Sequence, residues 1–473
     1  MNNFEVVIGI EIHLELNTVT KMFSPALNDF YAKPNTTINQ IDLAYPGTLP
    51  LVNKKAVIYG VKLAKALNMT IDQEMHFDRK NYFYPDLPKG FQITQFYRPI
   101  GSNGYLEIDT ENGKKRIDVE RIHLEEDTAR QYHGDVTQID YNRAGVPLIE
   151  IVSKPVMSSS SEAVAYVDMI RRIALSLGIS SAKMEQGSLR ADINISLMPK
   201  GSKFFGTKVE IKNMNSFKAI KNAIEYEIKI QKEQIIKNQK VIQATKRYDE
   251  ESQSTILMRE KTNAIDYKYF PEPNIPIIKL TDDFINSIKL SELPWEKEKR
   301  YIDSGIQEIY VKSLINDNEL SDYFDSMNYP DKDRLSKLFF AEIVSLANSK
   351  NIHPSRLNIQ NFHFDYAIKK LDEGFISGKS FKKLIPLLED YDGCVKTLII
   401  NNDLMQISDP EVITNWVNET INNNENVISE YIDRPEKVVK FVLGNVMKLS
   451  AGKVDPIKAN EISICILNKK FHK

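Results

Sequence analysis

The sequence predicts an α+β protein. A large N-terminal domain over 1–290 is built on antiparallel β-sheet with flanking helices. An all-α helical domain follows over 291–403, then a small all-α tail domain over 404–473. Three observations lead there. Short segments of period-two alternation, broken by Pro/Gly turns, recur up to about residue 290, the spacing of half-buried strands. From Ser291 helical periodicity takes over, in 294–304, 307–314 and 335–349. The chain of 473 residues has room for two to four domains at roughly 100–200 residues each.

The elements can be justified in order. Ile8-Gly9-Ile10-Glu11-Ile12-His13-Leu14-Glu15-Leu16 alternates strictly and reads as a strand. Tyr45-Pro46-Gly47-Thr48-Leu49-Pro50 is a turn by composition. Ala56, Val57, Gly60, Val61, Ala64 and Leu67 fall at helical spacing within 54–68. The serine run Ser158 to Ser161 ahead of Glu162 is an N-cap setting for a helix over 163–177, closed by Gly178. A second long amphipathic helix spans 217–239, and the proline-rich block from Tyr269 to Pro276 is extended. Gly374-Phe375-Ile376-Ser377-Gly378-Lys379-Ser380 imitates a phosphate loop but has three residues between its glycines where four are needed. It reads as a helix–helix turn.

Composition excludes several classes. Hydrophobic residues make up 42% and charged residues 27%, ordinary for a globular protein. No run of about 18 apolar residues exists to cross a membrane. Met1-Asn2-Asn3-Phe4-Glu5 does not open a signal peptide, so a cytoplasmic location is expected. The two cysteines, Cys394 and Cys465, cannot form a four-thiolate zinc site and lie in no nucleophile context; they read as reduced structural thiols. A net charge of -2 means that nucleic acid would have to bind local basic patches.

The chemistry is written on the polar faces of the strands. Alternation puts Glu11, His13 and Glu15 in one row, opposite Ile10, Ile12 and Leu14. The same pattern aligns Arg190, Asp192, Asn194 and Ser196, and again Lys208, Glu210 and Lys212. Arg121-Ile122-His123-Leu124-Glu125-Glu126-Asp127 ends a strand on three acids. Carboxylates with water suit Mg2+, and nearby Arg and Lys offset phosphate charge. Several such faces lining one cleft suggest a Mg-nucleotide site on an antiparallel sheet. His123 and His133 lack metal-ligand spacing and read as structural or surface residues.

Longer blocks carry a family resemblance. They include Val7-Ile8-Gly9-Ile10-Glu11-Ile12-His13, Asp42-Leu43-Ala44-Tyr45-Pro46-Gly47, Phe77-Asp78-Arg79-Lys80-Asn81-Tyr82-Phe83-Tyr84-Pro85-Asp86 and Asn142-Arg143-Ala144-Gly145-Val146-Pro147-Leu148-Ile149-Glu150. Further on come Met184-Glu185-Gln186-Gly187-Ser188-Leu189-Arg190, Phe205-Gly206-Thr207-Lys208, Lys212-Asn213-Met214-Asn215-Ser216-Phe217 and Tyr269-Phe270-Pro271-Glu272-Pro273. In that order, over nearly the whole chain, they resemble the B subunits of aspartyl/glutamyl-tRNA(Asn/Gln) amidotransferases. The C-terminal portion, with Gly444-Asn445-Val446-Met447-Lys448 and Gly452-Lys453, is more divergent.

The resemblance implies an ATP-dependent carbon–nitrogen ligase with glutamine as amido donor. It implies activity as a heterotrimer, the partners being a glutaminase, the A subunit, with a small C subunit. ATP phosphorylates the side-chain carboxylate of misacylated Glu-tRNA(Gln) or Asp-tRNA(Asn) in an N-terminal cradle, and ammonia from the glutaminase then amidates it. Carried onto this sequence, the Mg2+ and ATP site falls on Glu11, His13, Glu126 and Glu210, with Glu15, Glu125 and Asp192 close by. Arg190, Lys208 and Lys212 are candidates for phosphate, and Asn213, Asn215 and Ser216 for polar positioning. Lys80 and Glu126 are expected where the ammonia passage opens. Alternation sets Glu126 against Glu125, so preferring Glu126 rests on the resemblance.

Two departures stand out. Many members carry two Cys-x-x-Cys pairs that bind zinc after the first strand; residues 21–42 contain no cysteine, so no zinc is expected and packing must hold that loop. The usual second Glu of the Met-Glu-Glu-Gly-Ser block is Gln186. In the tail, Lys448, Lys453, Lys458, Lys469, Lys470 and Lys473 stand against Asp455 and Glu461, a patch suited to RNA phosphates. The residues alone leave open a stand-alone carboxylate–amine ligase and a non-catalytic tRNA-binding factor.

Overall fold

The computed structural model describes residues 4–260 and 267–471, so Lys473 of the basic tail lies outside the described residues. The chain forms two compact units, Met1–Glu296 and Lys297–Lys473.

The first unit is organised by β1 (Phe4–Glu15). The other strands of its main sheet are β2 (Thr70–Ile71), β5 (Gly101–Thr110), β6 (Gly113–Glu126), β7 (Pro147–Ser153), β8 (Leu189–Pro199), β9 (Val209–Met214), β10 (Ala244–Asp249) and β11 (Ser254–Glu260). Their spatial order is β11-β10-β9-β8-β1-β7-β6-β5-β2. A small side sheet places β3 (Asp78–Asn81) between β4 (Phe91–Thr94) and β12 (Phe270–Pro271).

The alternation read in β1 is realised. Ile8, Ile10, Ile12 and Leu14 are essentially inaccessible, each contributing about 1.5–3 kcal/mol by its burial. Three helices cover that face. They are α1 (Lys54–Ala66) on β5 and β6, α2 (Ser160–Ser176) beside α3, and α3 (Phe217–Ile236) on β8 and β9. The serine run caps as expected: Ser159 Oγ accepts the Glu162 amide at 3.2 Å. The sheet is antiparallel as expected but for one pairing. β9 and β10 run parallel, because the whole of α3 crosses over between them.

The second unit is helical. One core gathers Phe324, Phe339, Phe364 and Phe381; another gathers Ile413, Val417, Val438, Val442, Val446 and Leu467. An isolated parallel bridge links Ile407 to Val454 of the second core. The helix expected over 335–349 is interrupted: Lys332–Leu338 passes through a π-helical stretch, Phe339–Val344, into Ser345–Ser349. The segment around Gly374-Phe375-Ile376-Ser377-Gly378 joins the helices Asn361–Asp372 and Gly378–Leu384, with Ser377 Oγ accepting the Ser380 amide.

The long loop after β1 is pinned by charge. Lys21 is wholly buried, its Nζ 3.2 Å from Asp42 Oδ2 and 3.3 Å from the Tyr141 carbonyl. Asp42 also accepts the Asn39 amide. Gly145, at φ +85°, passes so close that a Cβ there would lie 2.8 Å from Asp42 Oδ1. Asn53 completes the fastening, donating to the Thr20 and Lys21 carbonyls while capping α1. Removing one partner strands the other charge in the interior. Lys21→Ala is expected to cost about 3–5 kcal/mol in urea unfolding, and Lys21→Met with Asp42→Leu to recover much of that loss. A cost below about 1 kcal/mol, the range of exposed pairs, would show that the pair does not hold the loop.

Candidate functional site

The register of five strands builds the site. His13 lies opposite Glu150 on β7 and Arg190 on β8; Glu11 lies opposite Asp192. Glu150 lies opposite His123, and Asn194 opposite Glu210. Cross-strand partners share a face, so all these side chains emerge on the side of the sheet away from the helices.

They form two acidic clusters. In the first, oxygens of Glu11, Asp192 and Glu210 lie within 4.8 Å of one another. Asn194 donates to Glu11 at 2.9 Å, Thr245 Oγ1 donates to Glu210 at 2.9 Å, and the Lys212 ammonium bridges Asp192 and Glu210, the latter at 3.1 Å. Burial, with Glu150 and Asp192 near by, raises the pKa of Glu11. Burial would lower that of Lys212, but Asp192 and Glu210 hold it above the usual lysine value.

The second cluster is His13, Glu125 and Glu150. His13 Nε2 stands 3.7 Å from each carboxylate, and His123 Nε2 lies 3.1 Å from Glu150 and 3.6 Å from Glu125. Burial works against a charged His123, yet the two carboxylates push its pKa up to about 9. Burial likewise works against a charged Glu150, but His123 and His13 hold it below the usual range.

Two cavities open onto these clusters. One of about 270 Å3 is lined by both clusters with Lys80, Arg121, Lys212 and Arg259. A neighbour of about 770 Å3 shares His13, Lys80, Glu125, Asp192 and Lys212 and adds Arg143 and Arg190. Arg190 reaches Asp127 at 2.7 Å, while its Nε is buried without a hydrogen-bond partner. Two oxygen-rich donor sets, one with an imidazole, beside lysines and arginines fit Mg2+ and phosphate better than a soft metal.

The structure distributes the sequence candidates unevenly. Glu11, His13, Asp192, Glu210, Lys80 and Lys212 line the smaller cavity, and Arg190 and Asn215 the larger. Glu126 lies elsewhere. Its carboxylate is buried against the Lys89 ammonium and accepts the Ile93 amide at 2.9 Å, while Glu125 takes the place in the cavity. No bulge intervenes, so neighbours on β6 point to opposite faces. Lys208 is exposed just before β9 and lines neither cavity. Ser216 caps α3 by accepting the Ala219 amide at 3.1 Å. The Asn213 side chain lies outside the described residues. Glu15 lies next to Asp127; burial and that neighbour raise its pKa to about 7.

Three residues that line the smaller cavity escaped the sequence reading. His123, expected to be a structural or surface residue, is buried and lines the smaller cavity. Glu150 was visible as the one acid in Pro147-Leu148-Ile149-Glu150-Ile151-Val152. Nothing local pointed to Arg259, which register brings opposite Thr245. In the second unit Lys448 is exposed, Lys453 pairs with Asp403, and Lys458 Nζ reaches the Ser408 carbonyl at 3.3 Å.

Carboxylates grouped for divalent cations, bordered by bases for phosphate, are the equipment of a nucleotide-using group-transfer protein. Comparison with known proteins narrows the class. The family model of the GatB/GatE catalytic domain matches residues 6–286, and that of the GatB domain matches 322–467. The chain is 70% identical over 471 residues to the aspartyl/glutamyl-tRNA(Asn/Gln) amidotransferase B subunit of Mycoplasmopsis agalactiae, covering 100% of both chains. It is 58% identical to the protein of that name from Mycoplasmopsis synoviae, again over 100% of both. For that of Staphylococcus aureus the identity is 41%, over 99% of this chain and 100% of the relative. The chain belongs to the GatB family.

If both clusters hold a cation, titration with Mn2+ followed by electron paramagnetic resonance should reveal two sites. Glu11→Ala should abolish one and Glu150→Ala the other, each leaving its neighbour. Unchanged stoichiometry in both variants would remove the clusters from consideration as metal sites.

Proposed function

We propose that this chain is the tRNA-binding, ATP-using component of a glutamine-dependent amidotransferase. It works with a glutaminase, the A subunit, together with a small C subunit. The assembly converts misacylated Glu-tRNA(Gln) or Asp-tRNA(Asn) into the amidated form. The observation that carries the reading is the pair of acidic clusters on one sheet face, lining one cavity with Lys80, Lys212, Arg121 and Arg259.

The chemistry asks for what these residues offer. A carboxylate is a poor acyl donor because oxide would have to leave. Attack of its oxygen on the γ-phosphorus of ATP breaks the bond to the bridging oxygen, releases ADP and creates a good leaving group. Ammonia then adds to the acyl carbon through nitrogen, phosphate departs, and a proton is given up. Glu11, Asp192 and Glu210 on one side and His13, Glu125 and Glu150 on the other would hold Mg2+. Bound there, Mg2+ would offset charge on the transferring phosphoryl group. Lys212 and Lys80 line both cavities and are placed to contact phosphate oxygens. The larger cavity, with Arg190 and Arg143, suits the aminoacyl end of the RNA. Lys448, Lys453 and Lys458 supply positive charge for RNA phosphates on the second unit.

The test is transamidation with the glutaminase and the small partner, glutamine, Mg-ATP and each misacylated tRNA, following the amide and ADP. Glu125→Ala and Glu210→Ala are each expected to slow product formation by about 100-fold or more while RNA binding persists. Glu126→Gln separates the two neighbouring acids: it should leave ADP formation near wild type. Product formation at the normal rate in both alanine variants would sink the reading.

A further inference from the structure

The smaller cavity contains one feature that neither cation binding nor phosphate binding uses. Its described lining is charged or polar except for Phe96, Tyr267 and Tyr269. Phe96 and Tyr269 are stacked, with ring centroids 3.9 Å apart and planes 12° from parallel. Tyr97 and Tyr267 meet the pair edge-on, at 5.0 Å from Phe96 and 6.2 Å from Tyr269. Yet Phe96 keeps 50% of its surface exposed.

The stack is held in place. The Phe96 and Tyr97 amides both donate to Asp78 Oδ2, at 2.8 and 3.0 Å, and Asp78 is buried. Tyr97 Oη donates to the Tyr269 carbonyl at 3.2 Å, and the next residue, Phe270, pairs with Arg79 across the side sheet. Two separate chain segments are therefore fastened so that an apolar flat surface faces a polar cavity. A half-exposed Phe96 backed by a partly exposed Tyr269 at such a fixed position suits a planar ligand, because stacking is the attraction that an exposed ring offers in a site dominated by charge.

We infer that Phe96 and Tyr269 form a stacking shelf for an adenine ring whose phosphates face Lys80, Lys212 and Arg259. This rests on the proposed use of a nucleotide at the same cavity. Two sources present that chemistry: the base of ATP, and the terminal adenosine of a tRNA acceptor end. Both place an adenine next to a polyanion, and Lys80, whose Nζ lies 5.0 Å from the Tyr267 ring centre, stands between the aromatic and charged parts of the wall.

The experiment compares four probes on the full chain assembled with its partner chains. They are Mg-ATP, Mg-tripolyphosphate, an RNA hairpin ending in CCA, and the same hairpin lacking the last nucleotide. For a nucleotide shelf, Phe96→Ala and Tyr269→Leu each weaken ATP about ten-fold or more, leave tripolyphosphate unchanged, and are rescued by Phe96→Trp. For an RNA shelf, ATP is unaffected and the advantage of the complete hairpin over the shortened one disappears. Equal loss of ATP and tripolyphosphate would mean that the rings only support the wall, and unchanged binding of every probe would mean that they hold no base; either overturns the inference. Failure of the underlying reading is separate: wild-type protein would then bind neither ATP nor tripolyphosphate.

Discussion

A strand presents alternate side chains to opposite faces, and in this protein the two faces of one sheet carry opposite demands. Isoleucines and leucines of β1, β6, β7 and β8 are sealed under three helices. On the opposite face stand Glu11, His13, His123, Glu125, Glu150, Arg190 and Asp192. Slipping any one of these strands by a single residue would put acids in the core and branched aliphatics in the cleft. The hydrophobic face therefore fixes register, and register brings Glu11 to Asp192, His13 to Glu150 and Glu150 to His123. The site is precise because the core cannot tolerate an alternative.

The same constraint explains Glu125 and Glu126. Adjacent acids at a strand end look interchangeable in sequence, and resemblance favoured the second. Their environments differ completely. Glu125 faces the cavity with two histidines, while Glu126 is enclosed with Lys89. Its burial raises its pKa, and a buried carboxylate of that kind depends on its ammonium partner.

Legibility followed interaction range. The strand alternation and the three sheet-covering helices are local patterns, and each appears in the structure within a few residues of its expected place; a helical region follows the sheet domain, as the change of texture suggests. The parallel pairing of β9 with β10 and the π-helical stretch in the second unit depend on packing between distant segments, for which no local signal exists. Residues lining the smaller cavity divide in the same way. Glu11, His13, Asp192, Glu210 and Lys212 stood in visible rows, whereas Arg259, Phe96 and Tyr269 arrive from strands and loops whose own sequences give no hint of what they face.

The two cavities have a wall in common, made of His13, Lys80, Glu125, Asp192 and Lys212. A shared charged wall makes their occupants thermodynamically dependent on each other. A polyanion in the smaller chamber that draws on Lys80 and Lys212 changes the potential felt by whatever enters the larger one. By linkage, the second ligand must alter the affinity of the first by the same factor. The coupling is then a property of the wall itself, and a substitution there is felt in both chambers at once.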